Sequence, residues 1–389
     1  MNSMKRILFV IFLCLHYFCL SPQKLYLWNT KNIKDLAYKS ELADLRKNIV
    51  KQADKYLKTP AIAITDREKI FAPDKHYYES IGPYWWPDPN VPNGTYIRKD
   101  GEKNPESNNY DNVRMVEMKN RVMYFSFAFY LTHENKYYEG AQKQLNVWFI
   151  NPETRMLPNL EYGQILPGIN NNHGRDAGLI DMYSIINPLL ESVRFLHGIK
   201  KLDRTVYEGL QLWCKEFLYW CETSDIGQKE GAANNNHSIA LDVTMLNLAL
   251  FVNDKECAKR INDTFLSERL MKQIDKNGMM PAESKRTKSY SYHIYNLTHI
   301  IDYCIIRQNM GNNYYRKNQK IIDRSISYLL GYIGNKEKWL FEEISDWNAL
   351  EKDLGLQVQR LKRLKHKKQK FNASDYKYDN TLKINNILQ

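Results

Sequence analysis

The chain has 389 residues, and its 56 Lys and Arg against 44 Asp and Glu give a formal charge of +12. That length is enough for one large domain or two ordinary ones with a substantial core. Past residue 20 no stretch is long and apolar enough to cross a bilayer, and Cys214, Cys221, Cys257 and Cys304 lack metal-ligand spacing, which argues for buried free thiols over a disulfide framework or a zinc site.

In chain order, Lys5 and Arg6 precede an apolar run over residues 7–20, followed by Ser21, Pro22 and Gln23. This is the layout of a secretory signal peptide, taken as residues 1–22, and it predicts a secreted or periplasmic protein. Cys14 and Cys19 follow Leu13 and Phe18, which argues against a lipid anchor. Without Lys5 and Arg6 the charge is +10, a sign that suits nucleic acid, an anionic membrane surface or an acidic polysaccharide. Part of the excess sits in the run Arg360, Lys362, Arg363, Lys365, Lys367, Lys368 and Lys370, read as a solvated helix face and tail. The body is taken as one domain over residues 23–370, with a polar tail over 371–389.

From about residue 33 the pattern is amphipathic helix with short polar loops and no βαβ rhythm. Helices are predicted over residues 33–57, 113–132, 136–149, 179–198, 202–223, 237–252, 258–275, 292–308 and 318–333. In the second, Asn112 is the expected cap, and Val113, Val116, Val122, Phe125, Phe127 and Tyr130 the expected buried flank. So many paired helices predict an all-α fold, an incomplete (α/α) toroid or barrel. An irregular region of about fifty residues precedes residue 113; too aromatic for disorder, it is read as a lid loop over the toroid mouth.

Three polar clusters interrupt the helices. Tyr84, Trp85 and Trp86 offer flat rings of the kind that stack on pyranose faces, although Trp pairs also wedge loops onto helical bodies. Asn234, Asn235, Asn236, His237 and Ser238 open an apolar helix, where free N–H groups and the helix dipole suit an anion; an N-cap and a packing histidine are the plainer alternative. In the third cluster, Arg286 can hold a carboxylate, and a cation near the Tyr292 phenol is expected to lower its pKa. Together these groups suit β-elimination on a uronate, which needs the carboxylate neutralised, the C5 proton removed and the C4 oxygen protonated.

The set Asn236-His237-Ser238, Glu283, Arg286-Thr287, Tyr292-His293 and Asn296-Leu297, with the blocks at residues 80–88 and 148–156, resembles the alginate lyase superfamily of helical-toroid polysaccharide lyases, families 5 and 38. The resemblance implies that Asn236, His237 and Arg286 neutralise the carboxylate and that Tyr292 is general base and acid. The Arg-to-Tyr spacing of six is one shorter than in some alginate lyases, so Tyr290 stays as the alternative proton carrier or as a substrate contact. Residues 168–176 resemble a loop lining the cleft, with His173 and Arg175 binding substrate and His173 a second base for the opposite C5 configuration. The implied partner is an anionic polysaccharide or oligosaccharide, alginate or glucuronan, with no nucleic acid, no stable membrane insertion, no cofactor or metal, and a monomeric state. Two other classes remain: a glycoside hydrolase using Asp176 and Glu283, and a non-catalytic sugar-binding protein.

Overall fold

A computed structural model describes residues 24–91 and 94–365, so the signal-peptide segment, the polar tail and Lys367, Lys368 and Lys370 lie outside the described residues. The helices are α1 (Thr30–Tyr38), α2 (Ala43–Leu57), α3 (Asp111–Thr132), α4 (Asn135–Leu145), α5 (Ile180–Ile199), α6 (Arg204–Thr223), α7 (Asp225–Ala232), α8 (Asn236–Val252), α9 (Lys255–Thr264), α10 (Met271–Gln273), α11 (Pro281–Ser284), α12 (Ser289–Asn309), α13 (Tyr314–Lys317), α14 (Gln319–Leu330) and α15 (Trp347–Lys365). An arc of inner helices, α3, α5, α8 and α12, packs side by side, backed by α4, α6, α9 and α15. This is the expected helical toroid, and it does not close into a barrel.

The composition of α8 follows from its place. It lies between α5, α6, α9 and α12, and residues from Ser238 to Ala249 are buried on every side, so it shows no polar stripe. Surface helices keep one: α9 buries only Cys257, Ala258 and Ile261, and the Asp254 side chain caps its start by accepting from the Cys257 N–H at 2.9 Å. Among the described residues, Cys214, Cys221, Cys257 and Cys304 are buried and form no disulfide.

Several elements depart from the sequence reading. The first predicted helix breaks at Lys39, which is extended, and divides into α1 and α2. α3 begins earlier than expected, with Asp111 in its first turn, so Asn112 is not the cap. Val113 and Val116 are exposed, because the buried face of that half runs through Asp111, Met115, Met118 and Val122, about one helical turn apart. The 136–149 and 258–275 helices each contain a π-helical segment, at Asn146–Ile150 and Phe265–Leu270. The described part of the C-terminal basic run is not simply solvated. The Arg360 guanidinium is buried on Asp302 and also donates to Gln357 at 2.8 Å, while Lys365 pairs with Asp323 at 3.1 Å.

Two short ribbons shape the region before α3. β1 (Glu79–Ile81) runs parallel to β4 (Tyr162–Ile165), and β2 (Trp85–Trp86) pairs antiparallel with β3 (Ile97–Arg98). The root of this lid is fixed by Glu79, whose carboxylate accepts from Arg67 at 2.7 Å and from the backbone N–H groups of Ile70, Phe71 and Ala72. At the amino-terminal end, residues 25–28 form a strap. Glu191 of α5 accepts the N–H groups of Tyr26, Leu27 and Trp28 at 3.0 Å each and pairs with Arg194 at 2.8 Å, while Leu25, Leu27 and Trp28 insert into the core.

Candidate active site

The start of α8 sets the first pair. The Asn235 side chain accepts from the His237 N–H at 3.0 Å and is the N-cap, which releases Asn236 for another role. Asn236 is fully buried against Glu283: its N–H donates to Oε1 at 2.7 Å and its Nδ2 to Oε2 at 2.6 Å. Its Oδ1 has no partner. Burial raises the Glu283 carboxyl's pKa, with the Asn236 bonds opposing.

His237 is held by a chain that begins on α5. The Tyr183 hydroxyl donates to Glu230 Oε1 at 2.7 Å, and the same oxygen lies 2.8 Å from His237 Nδ1. That contact leaves Nε2 as the unbonded ring nitrogen, so Glu230 fixes which nitrogen is free for chemistry.

Arg286 and Tyr292 form the second pair, at the start of α12. Arg286 Nη2 donates to the Tyr292 hydroxyl at 2.8 Å, with the guanidinium 4.0 Å from the ring centroid, and that hydroxyl donates to Tyr84 at 3.3 Å. The lid holds Arg286 from its other side. Asp100 accepts from Arg286 Nε at 3.2 Å and Nη2 at 2.9 Å, from Arg98 Nη2 at 2.8 Å, and from the Thr287 N–H and hydroxyl at 3.3 and 3.1 Å. Gly101 makes this approach possible: its φ is +79°, and a Cβ there would sit 2.5 Å from Thr287 Oγ1. Burial works to raise the Asp100 carboxyl, but the bonds from Arg286 and Arg98 hold it well below the usual carboxylate range.

The phenol departs from expectation. Burial, joined by Tyr84, pushes the Tyr292 pKa upward, and the opposing pull of Arg286 does not reverse it. At rest Tyr292 is a neutral hydroxyl. Tyr290 does not share its place. It is fully buried, its hydroxyl donates to the Leu329 carbonyl at 2.9 Å, and its ring packs on Trp339 and Trp347, so helical geometry turns it into the core and it reaches no substrate.

The remaining predicted residues lie on the facing loops. Arg175 donates to Gln164 Oε1 at 2.9 Å, and Gln164 in turn donates to the partly buried Asp181 at 2.8 Å. Burial lowers the Arg175 pKa, and the charges of Arg98 and Glu230 both reach it, which joins this loop to the two pairs above. His173 is exposed and stacks on Tyr162 with centroids 5.2 Å apart. Trp85 and Trp86 are half-buried in the β2–β3 ribbon. Trp86 donates to the Glu102 carbonyl at 3.0 Å and lies under Lys99, so the pair does wedge the lid while keeping part of its ring surface open.

Sequence reasoning missed the carboxylates that position these groups: Glu230 behind His237, Glu283 behind Asn236 and Asp100 behind Arg286. Glu283 stood in the resemblance set and as a possible hydrolase acid, but not as the partner of Asn236, to which both its oxygens are given, while Asp176 accepts its neighbour's N–H. Among the described residues no group of three or more His, Cys, Asp or Glu is arranged to hold a metal ion.

Comparison with known proteins bears on the family and the fold. A family model described as alginate lyase matches residues 64–339. The crystal structure of an alginate lyase from Bacteroides ovatus is 32% identical, with a TM-score of 0.82 over 88% of this chain and 92% of that one. Alginate lyase A1-III from Sphingomonas species A1 is 13% identical, with a TM-score of 0.53 over 82% of this chain and 87% of that one, a likeness of fold. No curated protein matches the chain.

Proposed function

Because the chain belongs to the alginate lyase family and is a polysaccharide lyase, we propose that it cleaves a uronic-acid polymer, alginate or glucuronan, by β-elimination in the cleft between the lid and the starts of α8 and α12. The observation that carries this reading is the Tyr292 hydroxyl held at 2.8 Å by Arg286, whose neighbour Glu283 also clamps Asn236 beside His237.

In this mechanism the uronate carboxylate lies against the His237 side of the α8 start, with the fully buried Asn236 clamped behind it on Glu283, and hydrogen bonding there stabilises the enolate formed when the C5 proton leaves. Arg286 joins them chiefly through Tyr292, since Asp100 occupies its Nε and Nη2; it stabilises the phenolate that must form for Tyr292 to take the C5 proton. The phenol proton, given up to solvent when the phenolate forms, is replaced by the C5 proton, which the phenol then delivers to the C4 oxygen as the glycosidic bond breaks; Tyr292 is left as the phenolate, and a proton from solvent restores the resting hydroxyl. Tyr84 accepts the phenol's hydrogen bond at rest, Trp85 and Trp86 offer stacking surface, and His173 and Arg175 contact a neighbouring sugar. For the opposite C5 configuration His173 is the base the resemblance implies; its stack on Tyr162 favours a binding role, whereas the Glu230 contact leaves His237 Nε2 free to take that proton. Lys5, Arg6 and the apolar run over residues 7–20 support export to the periplasm or beyond.

The test is incubation with poly-mannuronate, poly-guluronate and poly-glucuronate while following near-ultraviolet absorbance of the new C=C–carboxylate conjugation. At least one polymer gives a rising trace, and Tyr292→Phe lowers kcat by roughly 10²- to 10⁴-fold. Reducing ends appearing without absorbance would establish hydrolysis instead.

A further inference from the structure

The basic run near the C-terminus holds part of the protein's positive surplus, and within it Arg360 and Lys365 are paired internally. A second concentration lies on α2. Lys47, Lys51, Lys55 and Lys58 follow one another at intervals of four, four and three residues and so share one face of that helix, away from the buried Leu45, Ile49 and Ala53. Together with Arg46 they line a groove of about 1060 Å³ whose other wall is Tyr124, Leu131 and Thr132 of α3.

Five cations and one carboxylate, Asp54, line this groove. Asp54 is already engaged, accepting from Tyr137 at 2.7 Å and pairing with Lys136 at 3.2 Å. Arg46 is also committed, to the carbonyls of Leu36 and Lys39. Of the four lysines, Lys47 has a loose 3.9 Å contact with the exposed Asp44, and Lys51, Lys55 and Lys58 form no salt bridge among the described residues. Three or four ammonium groups are therefore left in a row, stepping along the helix axis by about 4.5–6 Å. None of the lining residues belongs to the lid or to the starts of α8 and α12.

We propose that the α2–α3 groove is an exosite for a polyuronate strand, holding polymer on the outer wall of the toroid while the cleft acts on another part of it. The inference rests on the lyase reading for the identity of the polymer. A row of like charges one helical turn apart matches a ligand that carries one carboxylate on every sugar, and a concave groove suits a single strand better than a flat bilayer. Tyr124 adds an aromatic ring to the lining. Lysine suits such a surface, because its mobile point charges follow a polyanion without fixing its register.

The test uses K47Q/K51Q/K55Q/K58Q in the full chain, with kinetics on polymer and on a uronate tetrasaccharide. In parallel, the same four changes are made in a Tyr292→Phe background, and retardation is measured by electrophoresis through a polyuronate-containing gel. The expected result is a KM for polymer raised about three- to ten-fold at low ionic strength, converging with wild type at high salt. Tetrasaccharide kinetics and kcat stay unchanged, and gel retardation is lost. Unchanged polymer KM and retardation overturn the exosite, as does an equal loss on the tetrasaccharide, which would place the effect in the cleft or the fold. Retained polyuronate retardation with lost binding to phosphatidylglycerol vesicles assigns the face to a membrane and also overturns it. If wild type cleaves no polyuronate yet is retarded in a lysine-dependent manner, the catalytic reading fails and the exosite stands.

Discussion

Replacing Asp100 by Asn tests whether the lid helps to build the catalytic centre or merely covers it. The carboxylate accepts from both arginines and from Thr287, with both oxygens in use. An amide cannot reproduce that set: one of its two positions becomes an NH₂ facing a donor of Arg286 or Thr287. The Arg286–Asp100 pair is about four-fifths buried, at 19% and 18% side-chain exposure, so its loss is discounted for solvent and costs roughly 1–2 kcal/mol. For a chain of this size that corresponds to a fall in Tm of a few degrees. The effect on catalysis is larger, because Arg286 then loses the anchor that sets its 2.8 Å contact with the Tyr292 hydroxyl. A displacement of about an ångström at that contact lowers kcat by about 10- to 100-fold. Initial rates by absorbance, with kcat and KM separated, are the assay, and Asp100→Glu should recover part of the loss. If Asp100→Asn raises KM and leaves kcat at the wild-type value, the carboxylate is a lid contact only and does not position Arg286 for the reaction.

Glu230→Gln removes the charge that holds His237 Nδ1 and the Tyr183 hydroxyl, and it should lower kcat/KM by roughly 10-fold or more while secondary structure by circular dichroism is unchanged; a wild-type rate would show that His237 needs no orienting partner. Acid stability has a separate origin. Burial depresses the pKa of both His293 and His299 to about 4, and the neutral His293 accepts from the Met280 N–H at 3.1 Å. A folded pKa below the unfolded value of about 6.5 means that the stabilisation is complete above pH ~6.5 and is lost as pH falls toward about 4. Tm should therefore decline across that window, before Asp100 titrates, and His299→Gln should flatten the decline; a Tm constant from about pH 7 to about pH 4 would contradict it.

Helices were legible where one face alone is apolar, and α8 was legible from its continuous apolar run after the Asn-rich start. The region of residues 77–106 was recognisable as irregular and aromatic, but its two ribbons were not, since strands of two to four residues leave little alternation to read. Tyr292 stood out through the Tyr292-His293 and Asn296-Leu297 motif, but its spacing from Arg286 kept Tyr290 as a rival until the helix turned Tyr290 inward against Trp339 and Trp347. The positioning carboxylates were invisible for a different reason. Asp100 meets Arg286 across 186 positions and Glu283 meets Asn236 across 47, so no local pattern relates either pair. The sign of the Tyr292 shift also lay beyond the sequence, because it depends on burial outweighing the neighbouring cation.

The amino-terminal strap bears on the order in which the protein can be completed. Residues 25–28 are made early, yet Glu191, which accepts the N–H groups of Tyr26, Leu27 and Trp28, follows some 165 positions later. Until α5 exists, three apolar side chains and three unpaired N–H groups have nowhere to go, and such long-range closure is slow and prone to association. A chain bound by an export chaperone or threaded unfolded through a membrane is protected during that interval. Refolding from denaturant has no such protection and should lose yield steeply as protein concentration rises.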